Sequence, residues 1–333
     1  MYKPRPIWQE LPHHFKISLV GKLDYKSRCC LRKVAREEKA LVDECPVSIE
    51  MITLEPPVGP SDSTAQLVML EGDSMGDGYG FPIFDRYDQS GVIFDAVLPL
   101  VHRKSVVNEV NFRRASRSFF QPEVTLGFFR KLMTEIRKHP GFKFRSKKMS
   151  WEWRGDTGTE FFEMLQLFEP SVLRTLEVDE ISEACRKEVL ASEHWSNLKL
   201  LYMSERHSIP IDHFLHIDKI LIDLFEILPN DVWKLIQSAL ARNLPLGSYF
   251  CIDTLRPLDI NGILETFNVM PRHEPIDFRD GGHVQRFPMP TRTHVLCVLF
   301  ANETNSTHGR IKGIVCRREH VAEDFSIDPP YVF

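Results

Sequence analysis

The sequence predicts a mixed α/β protein, with a short helical unit at the N-terminus and a longer region in which strands and helices alternate. Three observations carry this. Apolar residues recur at helical spacing through the first 45 residues and then change pattern. Two strand-like runs follow at 47–54 and 65–70, parted by the breaker Pro56-Pro57-Val58-Gly59-Pro60. From about Gln121, helical stretches near 121–138, 157–169, 181–191, 229–242 and 258–267 alternate with strand-like stretches centred near Trp151, Leu176, Leu200, Ile222 and Phe250.

Taken in order, the first 45 residues read as a helical trio. Trp8 to Pro12 open the first helix, with Pro12 where a missing N–H costs nothing. Phe15, Leu19, Val20 and Leu23 form its apolar set. Asp24 caps a second helix carrying Leu31 and Val34, and a third runs from Glu37 to Asp43 with Leu41 and Val42 inward. So small a unit cannot bury all its apolar side chains, so it is expected to need a partner. In the alternating region the strand centres lie 25, 24, 22 and 28 residues apart, the period of leucine-rich-type repeats. An irregular leucine-rich-repeat-like strand-helix solenoid is therefore expected. The runs 293–300 and 310–317 flank a polar turn and predict a C-terminal β-hairpin. The expected domains are 1–45 and 46–333.

Composition narrows the function classes. At 43% apolar and 26% charged residues the chain is an ordinary globular one, and no apolar run approaches the roughly 20 residues needed to cross a bilayer. No signal-like apolar stretch follows Met1, so a cytoplasmic or nuclear location is expected, without a membrane partner. Seven cysteines, none in a C-x-x-C pair, suggest neither a disulfide framework nor a thiolate zinc site. The tripeptides beginning at Asn302 and Asn305 fit the glycosylation pattern but read as a polar turn. Net charge is −4, which does not suggest nucleic acid. Between Arg103 and Lys148, however, 13 Lys/Arg meet three Glu. That segment is either a cationic contact patch or a set of surfaces paired with acidic neighbours, and the second reading is preferred.

No catalytic, cofactor or metal constellation emerges. The glycines at 72, 76, 78 and 80 fit neither phosphate-loop pattern. Asp156-Thr157-Gly158 carries an aspartic-protease tripeptide, but that chemistry needs two carboxylates sharing a proton and no second copy exists. It reads as a turn capping the helix at 157–169. Asp212, His213, His216 and Asp218 fit no zinc template, and His216 reads as a packed core histidine. Trp195 and Trp233 read as core anchors.

The N-terminal residues Leu11-Pro12, Leu19-Val20, Leu23, Leu31 and Val34 resemble the F-box in the spacing of their apolar contacts. The run from Leu23 to Val34 is similar to the version in nematode F-box families. The stretch Glu193-His194-Trp195-Ser196-Asn197-Leu198-Lys199, with Ile211 to His216, is similar to the FTH domain that accompanies those F-boxes. The resemblance implies a substrate-recognition adaptor of a Skp-cullin-F-box ubiquitin ligase, acting in protein degradation without catalysis. Leu11, Pro12, Leu19, Val20, Leu23, Leu31 and Val34 would dock on the Skp-type linker. The alternatives are a protein-binding scaffold whose trio is structural, and a hydrolase using the 212–218 cluster.

Strand alternation adds a candidate surface for the unknown protein substrate. Met149, Trp151, Leu176, Val178, Leu200, Ile220, Ile222, Phe250 and Ile252 should face the helices. The opposite set is mixed, and Glu177, Lys199, Lys219, Asp223, Tyr249 and Asp253 are its candidate contacts, with Tyr249 foremost.

Overall fold

The structure is a computed structural model that describes residues 7–55, 66–70, 105–113, 122–138, 141–152, 158–267, 282–302 and 308–320. It divides into two compact units, Met1–Arg174 with Ile181–Asn197, and Thr175–Glu180 with Leu198–Phe333. No helix among the described residues is long and apolar enough to cross a membrane.

The first unit begins with α1 (Ile7–Glu10), α2 (His13–Val20), α3 (Tyr25–Arg32) and α4 (Arg36–Asp43). The expected first helix is two, because Pro12 cannot donate and takes an extended conformation at the N-cap of α2. Asp24 caps α3, its carboxylate accepting the Ser27 amide at 2.6 Å. Val20, Leu41, Val42 and Cys45 form a small core, with Trp8, Ile17 and Leu31 packed against it. Arg28 is buried, and its guanidinium donates to the carbonyls of Gly21, Leu23 and Pro46 at 2.8, 2.9 and 2.8 Å. That one side chain ties the turn after α2 to the chain entering the sheet.

The sheet of this unit runs β2-β1-β3-β4, with β1 (Ser48–Glu55), β2 (Gln66–Leu70), β3 (Val106–Phe112) and β4 (Ser146–Trp151). The β1–β2 pair is antiparallel, whereas β1–β3 and β3–β4 are parallel. Strand β3 was not expected. Its sequence, Val-Val-Asn-Glu-Val-Asn-Phe, buries Val107, Val110, Asn111 and Phe112 without regular alternation, which hid it inside the basic stretch. Two helices cover the sheet residues, α5 (Pro122–Arg137) and α6 (Glu160–Leu165). The core is aromatic, with Trp151 at 5.1 Å from Phe129, 5.4 Å from Phe112 and 5.7 Å from Phe161 between ring centroids. The unit ends with α7 (Glu183–Leu190) and α8 (Glu193–Ser196).

The second unit has strand order β5-β6-β7-β8-β11-β10-β9. β5 (Thr175–Val178), β6 (Leu200–His207), β7 (Lys219–Leu224) and β8 (Tyr249–Thr254) pair in parallel and in sequence order. β9 (His283–Pro288), β10 (His294–Asn302) and β11 (Gly309–Arg317) continue it antiparallel. The latter two strands sit near the expected 293–300 and 310–317, and β9 was not expected. Between the parallel strands, α9 (Pro229–Ala241) has Pro229 in its first turn and buries Val232, Leu235, Ile236 and Ala239. Asp259 caps α10 (Ile260–Thr266) through the Gly262 amide at 3.0 Å. Asn302, from the glycosylation-like tripeptide, spends its side-chain amide on the backbone of Leu258, accepting at 2.7 Å and donating at 3.1 Å.

Candidate interaction surfaces

On the trio, the seven residues expected at the linker interface separate into two groups. Val20 is fully buried, and Leu31 packs on the same cluster, so both belong to the trio's own core. The expectation that so short a unit must lend them to a partner is corrected by Leu41, Val42 and Cys45, which cover them. Leu19 and Leu23 are exposed, Val34 is 72% exposed, Pro12 is exposed, and Leu11 is half-buried. Phe15, at 53%, belongs with them and stands four residues before Leu19 on one face of α2. Its helical spacing was the available signal.

In the second unit, strand register defines the other surface. Leu176, Leu201, Ile220 and Phe250 stand in one cross-strand line, and Val178, Met203, Ile222 and Ile252 in another, all buried. Leu200 was expected on this side but stands between Thr175 and Lys219, half-buried on the opposite face. Two adjacent leucines gave no sign of which one pointed inward. The opposite face carries Glu177, Tyr202, Leu221 and Cys251 in one line, Lys219 beside Tyr249, and Asp223 beside Asp253. Five of the six expected contacts therefore share a face. Lys199 does not, since it precedes β6 and lies 3.6 Å from Asp218.

The electrostatics of this face are uneven. Lys219 sits over the Tyr249 ring at 5.8 Å from its centroid. Asp253 is held by Arg310 of β11 through two bonds of 2.6 and 3.1 Å. Asp179 accepts from the Ser204 hydroxyl at 2.6 Å. Among the described residues the Asp223 carboxylate accepts no hydrogen bond and makes no ion pair. Burial, then the neighbouring Asp253 charge, push its carboxyl up to about 6, against the opposing effects of Arg206 and Arg310. Burial also raises the Tyr249 hydroxyl, and pushes the Cys251 thiol up to about 12, so that thiol stays protonated at neutral pH.

Other sequence candidates have structural employment. Asp212 pairs with Lys234 at 2.9 Å, and Asp218 with Arg242 and Lys199, while Arg242 also donates to the carbonyls of Leu215 and Ile217. His216 is half-buried rather than a core residue, because the apolar Phe214 and Ile217 take the inward positions. Asp156 and Thr157 lie outside the described residues, as do the glycines at 72–80. The N-cap of α6 is Thr159, and its side chain makes no capping bond. Cationic residues of the 103–148 segment pair within the unit. Lys148 meets Glu109 at 3.1 Å, Arg130 meets Glu160 at 2.8 Å and Arg137 meets Glu163 at 2.5 Å.

The stretch 193–197 works as a clasp. Ser192 caps α8 through the Trp195 amide at 3.2 Å, and Trp195 is buried. His194, also buried, bonds the Phe168 carbonyl at 3.0 Å, and burial lowers its pKa. Asn197 donates to the Pro170 carbonyl at 3.3 Å. Trp233 is half-buried and packs on Phe267 at 5.2 Å.

These features define a mixed α/β protein with helices at its N-terminus and a mixed polar and aromatic sheet face in its second unit. Residues 132–269 match the family model of the FTH domain. The match contains α8, the 211–216 turn and the strands β5 to β8, while the N-terminal helices lie outside it. Searches of curated proteins and of solved structures find no match.

Proposed function

We propose that this chain is a non-catalytic substrate-recognition adaptor of a Skp-cullin-F-box ubiquitin ligase, working in the cytoplasm or nucleus to direct a bound protein to degradation. The observation that carries the reading is the set of apolar side chains left outside the trio's core, next to an FTH domain. Phe15, Leu19, Leu23 and Val34, with Leu11 and Pro12 beside them, dock on the linker. The second unit captures the substrate on the face bearing Glu177, Lys219, Asp223, Tyr249 and Asp253. Its strand-helix rhythm supports a leucine-rich-repeat-like solenoid. The adaptor's physical contribution is a raised local concentration of substrate at the ligase, with the chemistry done by other subunits.

The alternative is a protein-binding scaffold whose trio is purely structural, and the core around Val20 favours it. Co-purification of a Skp-type linker with the full chain decides between the two. The Leu19→Ala, Leu23→Ala double variant should lose at least about tenfold in linker affinity, since truncating interface anchors commonly costs roughly 2 kcal/mol or more. Unchanged linker binding overturns the adaptor reading.

A further inference from the structure

We propose that the face of β6 to β8 receives a segment of another protein in which a lysine or arginine stands beside a bulky apolar residue, with Asp223 taking the cation and Phe225 the apolar side chain. This rests on the adaptor reading and specifies what its recognition unit holds.

The argument begins with charge. On this face every charged neighbour of Asp223 in its cross-strand line is already employed, since Asp253 is held at both oxygens by Arg310. Asp223 is half-buried, and among the described residues its carboxylate has neither a hydrogen bond nor an ion pair. Among the charged groups around it, Asp253 and Glu205 disfavour its charge and Arg206 and Arg310 favour it, and burial outweighs them all. An unpaired carboxylate in such a place has a specific complement, a cation brought by a partner.

The second part is apolar. Phe225 follows Asp223 by two positions, just past the end of β7, where its amide donates to the His207 carbonyl and its carbonyl accepts from the Arg256 amide. The alternation of β7, carried one residue past its end, puts its ring on the same face, one pleat beyond the carboxylate. The ring is 48% exposed, and Leu228 in the same loop is 58% exposed. Beside them Glu226 is paired with Arg256 at 2.5 Å, so the rim offers apolar surface and little free charge. Adjacent side chains of an extended peptide lie close enough to engage both groups. A peptide with an acidic residue at that point would face Asp223 and Asp253 together and be excluded.

The test selects phage-displayed random peptides on the full-length chain and measures synthetic versions of the winners by fluorescence anisotropy. Enriched sequences should carry Lys or Arg flanked by Phe, Leu, Ile or Met, and their binding should weaken as salt is raised. Asp223→Asn should reduce affinity about tenfold or more, and Phe225→Ala several-fold, each variant keeping its circular-dichroism spectrum and a cooperative melting transition as the measure of a folded second unit. Absence of enrichment, winners without a basic residue, or equal affinity of wild type and Asp223→Asn overturns the proposal. Peptide capture by a chain that binds no linker overturns the ligase reading alone. Linker binding without basic-apolar enrichment overturns this inference alone.

Discussion

Arg28 shows how much a single residue can hold. A buried guanidinium is tolerable only when its donors are satisfied, and here three carbonyls satisfy them, two from the turn after α2 and one from the chain entering β1. Arg28→Ala leaves those carbonyls short of a donor and should destabilise the trio by about 3 kcal/mol. Arg28→Lys should recover only part, because an ammonium cannot span all three acceptors. Faster hydrogen exchange of α3 amides would report the loss, and unchanged exchange would refute it. Asp223 works in the opposite direction. Its folded pKa, about 6, lies above the ordinary 3.8, so the folded state holds the proton more tightly between those values. The cost of its charge is absent well below the unfolded value, at about pH 3, grows as pH rises and is complete above about pH 6. Asp223→Asn should therefore raise the melting temperature at neutral pH and leave it unchanged at about pH 3. Partial exposure screens the effect to roughly 1 kcal/mol. Melting curves across that window check both the sign and the range.

At the scale of elements, periodicity made the helices visible and strand register remained hidden. The spans of α5, α7, α9 and α10 agree within a few residues with the runs of apolar spacing, since a helix must turn one stripe inward. β6 was found, yet its inward residue was misplaced by one, because Leu200 and Leu201 are equally apolar and only pairing with Lys219 and Ile220 separates them. β3 escaped because a strand buried on both sides need not alternate. The division of the trio's apolar residues into core and surface was illegible for a related reason. Val20 and Leu19 are neighbours of similar character, and only the packing of α4 decides which one is covered. A further prediction belongs to this scale. Gly313 stands opposite Phe250 across β8 and β11, and a Cβ there would lie 2.1 Å from the ring. Gly313→Ala should destabilise the second unit by about 2 kcal/mol through forced displacement of Phe250, seen as a lower denaturant midpoint. An unchanged midpoint would show that the ring moves at no cost.

For the whole molecule, net charge hides a division of labour. The chain totals −4 although its 103–148 segment is strongly cationic, and several of those cations are spent on carboxylates of the first unit. Such a surface offers few phosphate contacts, so the chain should elute from heparin at low salt, with a shallow salt dependence. Retention to high salt would instead reveal a free basic patch. The candidate linker and substrate surfaces draw on separate stretches of the chain, up to Val34 and after Thr175, so variants in one should leave binding at the other intact.

The strand order of the second unit has a bearing on the birth of the protein. β8 is flanked by β7, which precedes it, and by β11, which closes at Arg317. On the ribosome one edge of β8 must wait, unpaired, for more than fifty further residues to be synthesised. That interval exposes the apolar line of Phe250 and Ile252 next to open backbone, the combination that invites association with other nascent chains. A message truncated before Gly309 would leave that edge open permanently, and its product should aggregate or be removed by quality control.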